Sequence, residues 1–332
     1  MARIRLPFPM PSRQPPQSRG SSSGRIPGGY GQRQRPPFGV GNSRQSSGGG
    51  GLLSGGMKMR LLIALGFIAF ALISYYGKPG DVNQITGERE RVALPEETQE
   101  MALGQQAAPE MVAQHGGASR SRDGQALVDK VGVELLAGLD VWMAEREQQI
   151  GVELHNPYQF KFTLLADDQT VNAFALPGGQ VFITQALFAR LETVGQLAGV
   201  LGHEVGHVVE RHGNERMAKQ AMFSTIAMGA GTAAGGDARS VQMAQAVANV
   251  IQMKYGRDDE LQSDRWGVIL TEKAGYDPRA MIGVMKVLDE ASPDGGPPEM
   301  MSTHPKPANR VAYIKQVIHD VFPEGVRPGL TP

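Results

Sequence analysis

Two histidines four residues apart, with a glutamate between them, most constrain what this chain can be. The stretch reads His203-Glu204-Val205-Gly206-His207. On an α-helix this spacing puts both imidazoles on one face, about 6 Å apart, where they can ligate one zinc ion. The glutamate can then take a proton from a water molecule at the metal. Because the five-residue pattern alone is only moderately specific, its surroundings must carry the interpretation.

The surrounding sequence predicts one buried helix over residues 193–212. Thr193 and Gln196 have the form of a capping box, and Gly213 is placed to end the helix. Its apolar positions are Leu197, Val200, Leu201, Val205, Val208 and Val209. Burying two histidines and a glutamate without partners is costly, and a metal ion removes that cost. The alternative is a core helix with incidental histidines.

A metal site of this kind needs a third protein ligand. One known pattern, H-E-x-x-H-x-x-G-x-x-H, takes the third ligand from a histidine six residues after the second. It is excluded here, because Glu210 stands at its glycine position and Gly213 at its third histidine position. His212 lies about 140° round the helix from the second histidine and points away from the metal face. It is interpreted either as a surface residue or as a residue that contacts a metal ligand without binding the metal. Glu260 is the other candidate, with Asp264 one turn later to accept a ligand's N–H. The alternative for this acidic stretch is a solvated helix face.

Four stretches, in this order, resemble the CAAX prenyl protease/HtpX-type zinc metallopeptidases, which are gluzincins. They lie within about residues 155–315 and are 172–179, 203–207, 260–264, and 302–305 with Arg310 behind it. Gln196 and Ser263 depart from the residues common in that family, and neither is a proposed ligand. The resemblance implies an α+β fold: a mainly helical zincin-type metallopeptidase domain with a small β-sheet beside the active-site helix.

The resemblance also implies roles for five of these residues. His203, His207 and Glu260 would bind one zinc ion per chain. Glu204 would be the general base and would later give its proton to the leaving amine. Asp264 would serve catalysis by orienting one of the histidines.

His304 is assigned to a loop near the metal by the same resemblance. It would either stabilise the oxyanion of the tetrahedral intermediate or occupy the open zinc position and hold the enzyme latent. A histidine in an ordinary His-Pro turn is the remaining alternative.

The only clear β region runs from residue 160 to 184, in three runs with a Pro-Gly-Gly turn between the last two. In the resembling family, the middle run, 171–176, is an edge on which an extended substrate pairs as an extra strand. Asn172, Ala173 and Phe174 are therefore the expected substrate-binding residues. An ordinary sheet strand is the alternative.

Residues 57–77 are predicted to form a transmembrane signal anchor that contacts membrane lipid. The uncharged stretch 61–76 would extend about 24 Å as a helix, slightly less than a bilayer core. Basic residues on both sides can snorkel, and two tyrosines at its end suit an interface. The long segment before it and the lack of a clean cleavage site argue against a cleaved signal peptide.

The segment 1–56 is rich in Gly, Pro and Ser and is predicted to be a disordered basic tail. Residues 1–60 hold ten Lys or Arg and no acidic residue, although the whole chain has a net charge of zero. The positive-inside rule then predicts the tail inside and the peptidase domain outside, which in the inner membrane of a bacterium places the domain in the periplasm. The mitochondrial inner membrane is the alternative, because the start also resembles a presequence. The chain has no cysteine, which excludes disulfides, a thiol nucleophile and a lipoprotein anchor.

The remaining segments are assigned by their patterns. They are a linker at 78–122 with a short helix near 95–113, a metallopeptidase domain at 123–325 that opens with a helix near 124–150, broken helices flanking the cleft at 217–253, and helices on both sides of a loop within 276–322.

The sequence as a whole predicts a membrane-anchored zinc endopeptidase that acts on unfolded or misassembled polypeptides in envelope protein quality control. The alternative is a latent or chaperone-like protein that binds polypeptides and rarely cleaves them. A third hypothesis makes the basic tail the functional part, binding nucleic acid or lipid, although no nucleic-acid partner is expected.

Overall fold

The computed structural model describes residues 55–77, 79–234, 256–291, 300, 304 and 310–332, which form a mainly helical α+β structure, as predicted. The predicted tail lies almost wholly outside the described residues. The elements, in chain order, are α1 (Gly55–Tyr76), β1 (Asp81–Val82), β2 (Arg89–Glu90), α2 (Glu97–Gln114), α3 (Arg122–Ile150), β3 (Lys161–Leu165), β4 (Ala173–Leu176), β5 (Gln180–Thr184), α4 (Gln185–Phe188), α5 (Val194–Val209), α6 (His212–Ala234), α7 (Arg257–Lys273), α8 (Ala280–Glu290) and α9 (Arg310–Val321). The helices predicted near 95–113 and 124–150 are α2 and α3.

Helix α5 lies at the centre, buried from its second residue to its last, and packs against α3, α7, α8 and the sheet. Its start follows the prediction in part. The Thr193 hydroxyl accepts a hydrogen bond from the Gln196 backbone N–H at 3.2 Å. The Gln196 side chain instead accepts from the Glu192 N–H at 2.6 Å, so it does not complete a capping box with Thr193.

Glycines on α5 let α7 approach closely. A Cβ added to Gly202 would lie 3.3 Å from the Gly267 Cα, and one added to Gly206 would lie 2.7 Å from the Trp266 Cβ. Any side chain at position 206 would therefore push the two helices apart. This close contact brings the first two turns of α7 against the histidine-bearing turns of α5.

The predicted end of α5 at residue 212 is wrong. The helix ends at Val209, and Gly213 lies inside α6 rather than at a helix stop. Between the two helices Arg211 adopts φ = 51°, in the left-handed region that residues other than glycine rarely occupy. The chain therefore turns sharply before His212, which begins a new helix instead of continuing round the old one.

Contacts from the segment predicted as a linker hold this corner. The Arg211 side chain is 1% exposed; its Nε donates to Glu100 Oε1 at 2.6 Å and its Nη2 to the Leu94 carbonyl at 2.8 Å. The Asn214 amide oxygen accepts from the N–H groups of Ala93 and Leu94, both at 2.8 Å. These bonds from residues 93–100 fix the unusual backbone that Arg211 adopts.

A buried carboxyl lies at the end of α5. The Asn83 side chain donates to Glu90 Oε1 at 2.7 Å and to the Val209 carbonyl at 2.6 Å. Glu90 Oε2 has no hydrogen-bond partner among the described residues. Burial raises the pKa of Glu90 from its ordinary 4.5 to about 9, so this side chain stays protonated at neutral pH.

The three-stranded sheet has the order β3-β5-β4, with β3 parallel and β4 antiparallel to β5. Strand β4 is therefore an edge of the described sheet, as predicted. It begins at Ala173, so Val171 and Asn172 lie just before it rather than within it. Residues 177–179 form the predicted turn.

Residues 217–234 of the segment predicted to flank the cleft lie in α6, which packs along α1, and their place beside the cleft stays a prediction. The rest of the predicted segment, up to 253, lies almost wholly outside the described residues. Among the residues that the structure describes, one helix is long and apolar enough to cross a membrane: Gly56–Tyr76, with a mean hydropathy of 1.9. The helices predicted within 276–322 are α8 and α9.

Replacing Glu100 by alanine is expected to destabilise the protein by about 3 kcal/mol, because Arg211 would be left buried without its closest counter-charge. Urea unfolding in detergent measures the change. Glu145→Ala is the control: it breaks a surface ion pair with Lys273 and should cost less than about 1 kcal/mol. Equal losses in the two variants would show that Glu100 does not hold the corner.

Glu90→Gln is expected to stabilise the protein by about 1 kcal/mol or more at pH 8 and to have little effect near pH 4.5. Because folding raises the Glu90 pKa, its contribution is full below pH 4.5 and is lost as the pH rises towards about 9. Urea midpoints of both proteins between pH 4.5 and 9 test this. Parallel curves would show that Glu90 does not titrate abnormally.

Candidate metal centre

Four buried side chains converge on one point: His203 and His207 from α5, Glu260 from the first turn of α7, and His304. Their ligand atoms all lie within 4.8 Å of one another, so the group can hold a metal ion. The two α5 histidines approach through their Nε2 atoms, 3.1 Å apart. Glu260 lies across from them, with one oxygen 3.6 Å from His203 Nε2 and the other 3.5 Å from His207 Nε2.

The first histidine is oriented from behind by a buried ion pair. His203 Nδ1 lies 3.1 Å from Asp264 Oδ1, and Arg310 donates two hydrogen bonds to Asp264, at 2.8 and 2.6 Å. Burial alone would raise the pKa of Asp264, but Arg310 and His203 outweigh it and keep the pKa below its usual value. The ionised Asp264 accepts a hydrogen bond from the Nδ1–H of His203, which leaves the Nε2 lone pair of His203 facing the cluster.

The second histidine is oriented by a chain of hydrogen bonds. His212 Nε2 lies 3.0 Å from the Gln262 amide oxygen, and His212 Nδ1 lies 2.9 Å from His207 Nδ1. With the Nε2–H of His212 donating to Gln262, His212 Nδ1 accepts from the Nδ1–H of His207, and the Nε2 lone pair of His207 then faces the cluster. Burial and neighbouring cationic groups lower the pKa of His207, which favours this neutral form. His212 is 2% exposed, so the surface alternative is wrong.

Glu204 is fully buried beside the cluster, and neither carboxyl oxygen has a hydrogen-bond partner among the described residues. His304 Nε2 lies 3.8 Å from Glu204 Oε1. Burial raises the pKa of Glu204 above its ordinary value. A buried carboxyl without donors is costly, so these two oxygens suit a site that receives a metal and water.

Glu260 is prepared as an anionic ligand. Burial would raise its pKa, but His304, His203 and Arg310 outweigh burial and lower it. Its Oε1 is 3.0 Å from His304 Nδ1, and its Oε2 is 3.3 Å from Arg310 Nη1. Glu260 is completely buried, so the alternative that it lies on a solvated helix face is wrong.

The structure places His304 inside the cluster, 1% exposed, with Nδ1 3.4 Å from His203 Nε2. Its neighbours, 301–303 and 305–309, are outside the described residues. Its backbone N–H donates to the Met300 carbonyl at 2.6 Å, and the Met300 N–H donates to the Val171 carbonyl at 3.3 Å. His304 is therefore tied, through Met300, to the chain just before β4.

The predicted substrate residues lie just before and at the start of β4, which packs against α5. Asn172 and Ala173 are buried, and Phe174 stacks on Phe182 with ring centroids 5.0 Å apart. Asn172 already pairs with β5, because its carbonyl accepts from the Thr184 N–H at 3.0 Å. Its side-chain Oδ1 is buried and has no hydrogen-bond partner in the described structure.

Three supporting residues escaped the sequence interpretation. Arg310 was noted in the sequence without a role, and the structure pairs it with Asp264. The contacts of Gln262 with His212 and of Arg211 with Glu100 had no signal, because each joins residues at least 50 positions apart.

The chain matches known peptidases over the region that contains this centre. The family described as Peptidase family M48 matches residues 139–318, a little over half of the chain. A protein named beta-barrel assembly-enhancing protease, from Escherichia coli strain K12, is 34% identical over 175 residues, 49% of this chain and 35% of that protein. Mitochondrial metalloendopeptidase OMA1 from Schizosaccharomyces pombe is 32% identical over 151 residues, 45% of this chain and 44% of that protein.

The human protein named metalloendopeptidase OMA1, mitochondrial, is 30% identical over 166 residues, 46% of this chain and 32% of that protein. The chain therefore spans less than half the length of these relatives. Their names do not confirm the CAAX prenyl protease/HtpX subtype, which stays a prediction. The family match includes all four clustered side chains, and on it the chain belongs to peptidase family M48.

Proposed function

We propose that this chain is a zinc endopeptidase that hydrolyses peptide bonds in polypeptides. One observation carries the proposal: three ligand atoms converge beside Glu204, a buried carboxyl whose oxygens have no hydrogen-bond partner among the described residues. Two histidines and a carboxylate with a further open position are the ligand set of catalytic zinc sites. A zinc ion held there supplies Lewis acidity, which makes water a nucleophile near neutral pH and polarises the scissile carbonyl.

In this proposal His203, His207 and Glu260 hold the metal, and Glu204 moves the protons. Glu204 accepts a proton from the attacking water and later donates it to the leaving amine. Burial raises the pKa of Glu204 towards neutral pH. A carboxyl with a pKa near the working pH can both accept and donate a proton. Asp264 acts through His203, whose ring it orients.

The edge of β4 is the proposed place for an extended substrate. Because the Asn172 carbonyl faces β5, the alternation of an antiparallel ladder turns the backbone groups of Ala173 and Ala175 towards the free edge. A substrate strand would therefore bond to Ala173 and Ala175, while Asn172 and Phe174 would contact its side chains. Ala175 and His207 line the same small cavity, so this edge leads to the metal centre.

We assign His304 to the open ligand position, where it holds the enzyme latent. Its Nδ1 lies as close to Glu260 and His203 as the other ligand atoms lie to one another. The bond from Met300 to Val171 also ties His304, through Met300, to the chain just before the substrate edge. Release of His304 and Met300 would open both sites together. A protein that binds polypeptides and seldom cleaves them is the second candidate function, favoured by the same contacts.

The anchor and the relatives' names support a place for this activity. We propose that residues 57–77 span a bacterial inner membrane, with the metallopeptidase domain, 123–325, in the periplasm. The substrates would then be unfolded or misassembled envelope proteins. The mitochondrial inner membrane is the alternative, since both bacterial and mitochondrial proteins are among the relatives.

Glu204→Gln is expected to lower the cleavage rate of an unfolded protein by about 10²–10⁴-fold while keeping the fold and the bound metal. Peptide release, circular dichroism and metal analysis measure the three properties. Glu192→Gln makes the same chemical change at an exposed position before α5 and should have no effect. Full activity of Glu204→Gln would remove this residue from the mechanism.

His304→Ala is expected to raise the cleavage rate by about tenfold or more, the increase that follows if the open state is populated at 10% or less. Cleavage is measured at saturating zinc, with His319→Ala as the control, because His319 is exposed at the far end of α9. A fall in rate with unchanged metal content would instead show that His304 assists catalysis.

A further inference from the structure

Helix α6 changes character after its second turn. Its first eight residues include Glu215, Arg216 and Lys219, whereas residues 220–234 contain no charged side chain. The uncharged part would extend about 22 Å along the helix axis. Such a length without charge on the surface of a water-soluble domain needs an explanation.

The uncharged part lies against α1, which the proposed function places in the membrane. A Cβ added to Gly229 would lie 2.9 Å from the Phe67 Cβ and 3.0 Å from the Ala64 carbonyl oxygen. Nearer the domain, Tyr75 of α1 and Ala218 of α6 line one cavity of about 300 Å³. The two helices therefore run antiparallel, and α6 follows α1 from its tyrosine end to about its middle.

The outward face of α6 is suited to lipid. Phe223 and Met228 are 37% and 45% exposed, although both are large and apolar. The hydroxyls of Thr225 and Thr232 donate to the carbonyls four residues earlier, each at 2.9 Å. These bonds satisfy the hydroxyls inside the helix, as a position without water requires.

Charged and aromatic groups mark where this region begins. Arg91 lies over the rings of Tyr75 and Tyr76, 5.9 and 5.4 Å from their centroids. Lys219 pairs with Glu215 at 3.0 Å on the first turns of α6. Tyrosines and basic side chains at one level are typical of a membrane–water interface.

We propose that α6 enters the lipid bilayer beside α1, so that acyl chains cover its outward face from about residue 221 to 234. This inference rests on the proposed membrane anchor. Helix α6 is not apolar enough to cross a membrane alone, but its glycines and alanines allow the close packing on α1 that embeds a weakly apolar helix.

The arrangement places the metal centre close to the membrane. His212 begins α6 and contacts His207, and Lys219 lies only seven positions after His212. That separation is about 10 Å along the helix. The enzyme would therefore act on polypeptide segments held near the bilayer surface.

Fluorescent labels on single introduced cysteines test the proposal in the full-length chain, which has no native cysteine. Met228→Cys reports on α6, Leu65→Cys reports on α1 at a similar depth, and the exposed Val152→Cys reports on the domain. Each labelled protein is placed in phosphatidylcholine vesicles and quenched either by nitroxides on the acyl chains or by iodide in the water. We expect acyl-chain quenching at positions 228 and 65, and iodide quenching at position 152.

Iodide quenching at position 228, with acyl-chain quenching at 65, would overturn the α6 proposal and leave the anchor intact. Quenching of position 228 by neither agent would place it inside protein and would also overturn the proposal. Iodide quenching at both positions would contradict the membrane anchor as well. The proposed peptidase function is tested separately, by measuring cleavage.

A second pair of variants tests the packing of α6 on α1. Gly229→Leu should separate the helices and cut acyl-chain quenching of a label at Phe223→Cys by at least half. Gly66→Leu is the matched control, because a Cβ at Gly66 meets nothing within 4 Å. Equal quenching in both variants would show that α6 does not depend on α1 for its place in the bilayer, and would overturn the paired insertion.

Discussion

The close approach of α5 and α7 is the constraint on which the rest of this molecule depends. Gly202 and Gly206 of α5 have no side chains, so their backbone lies directly against residues 263–267 of α7. Only at this separation can Glu260 reach the point that two histidines on α5 face. A bulkier residue at either glycine would weaken the metal centre without touching a ligand, because the third ligand comes from the other helix.

Each ligand on α5 is oriented by buried polar partners. Asp264, held by Arg310, fixes one histidine, and His212 fixes the other. His212 owes its position to the left-handed turn at Arg211, which Glu100 holds from outside the region matched by the family. The same turn sends α6 along α1. One corner of the chain therefore links the metal centre to the proposed membrane-embedded helices.

The parts of this structure that local geometry decides were predictable from sequence. The spacing of His203 and His207 sets one helix face whatever the rest of the chain does, and the turn before β5 has its own residue signature. The end of α5 was not predictable, because Gly213 carries a stop signal and Arg211 does not. Contacts from residue 100 override that local preference. Helices were predicted over residues 217–253, but the packing of α6 along α1 was not, because it joins residues far apart in the chain.

Anomalous X-ray diffraction at the zinc absorption edge, from crystals of the full-length protein, tests the central claim most directly. We expect one strong peak per chain, about 2.0–2.2 Å from the Nε2 atoms of His203 and His207 and from a Glu260 oxygen. We also expect loss of that peak in Glu260→Gln. A peak elsewhere, or a peak unchanged in the variant, would contradict the assignment of Glu260 as the third ligand and the role given to the α5–α7 contact.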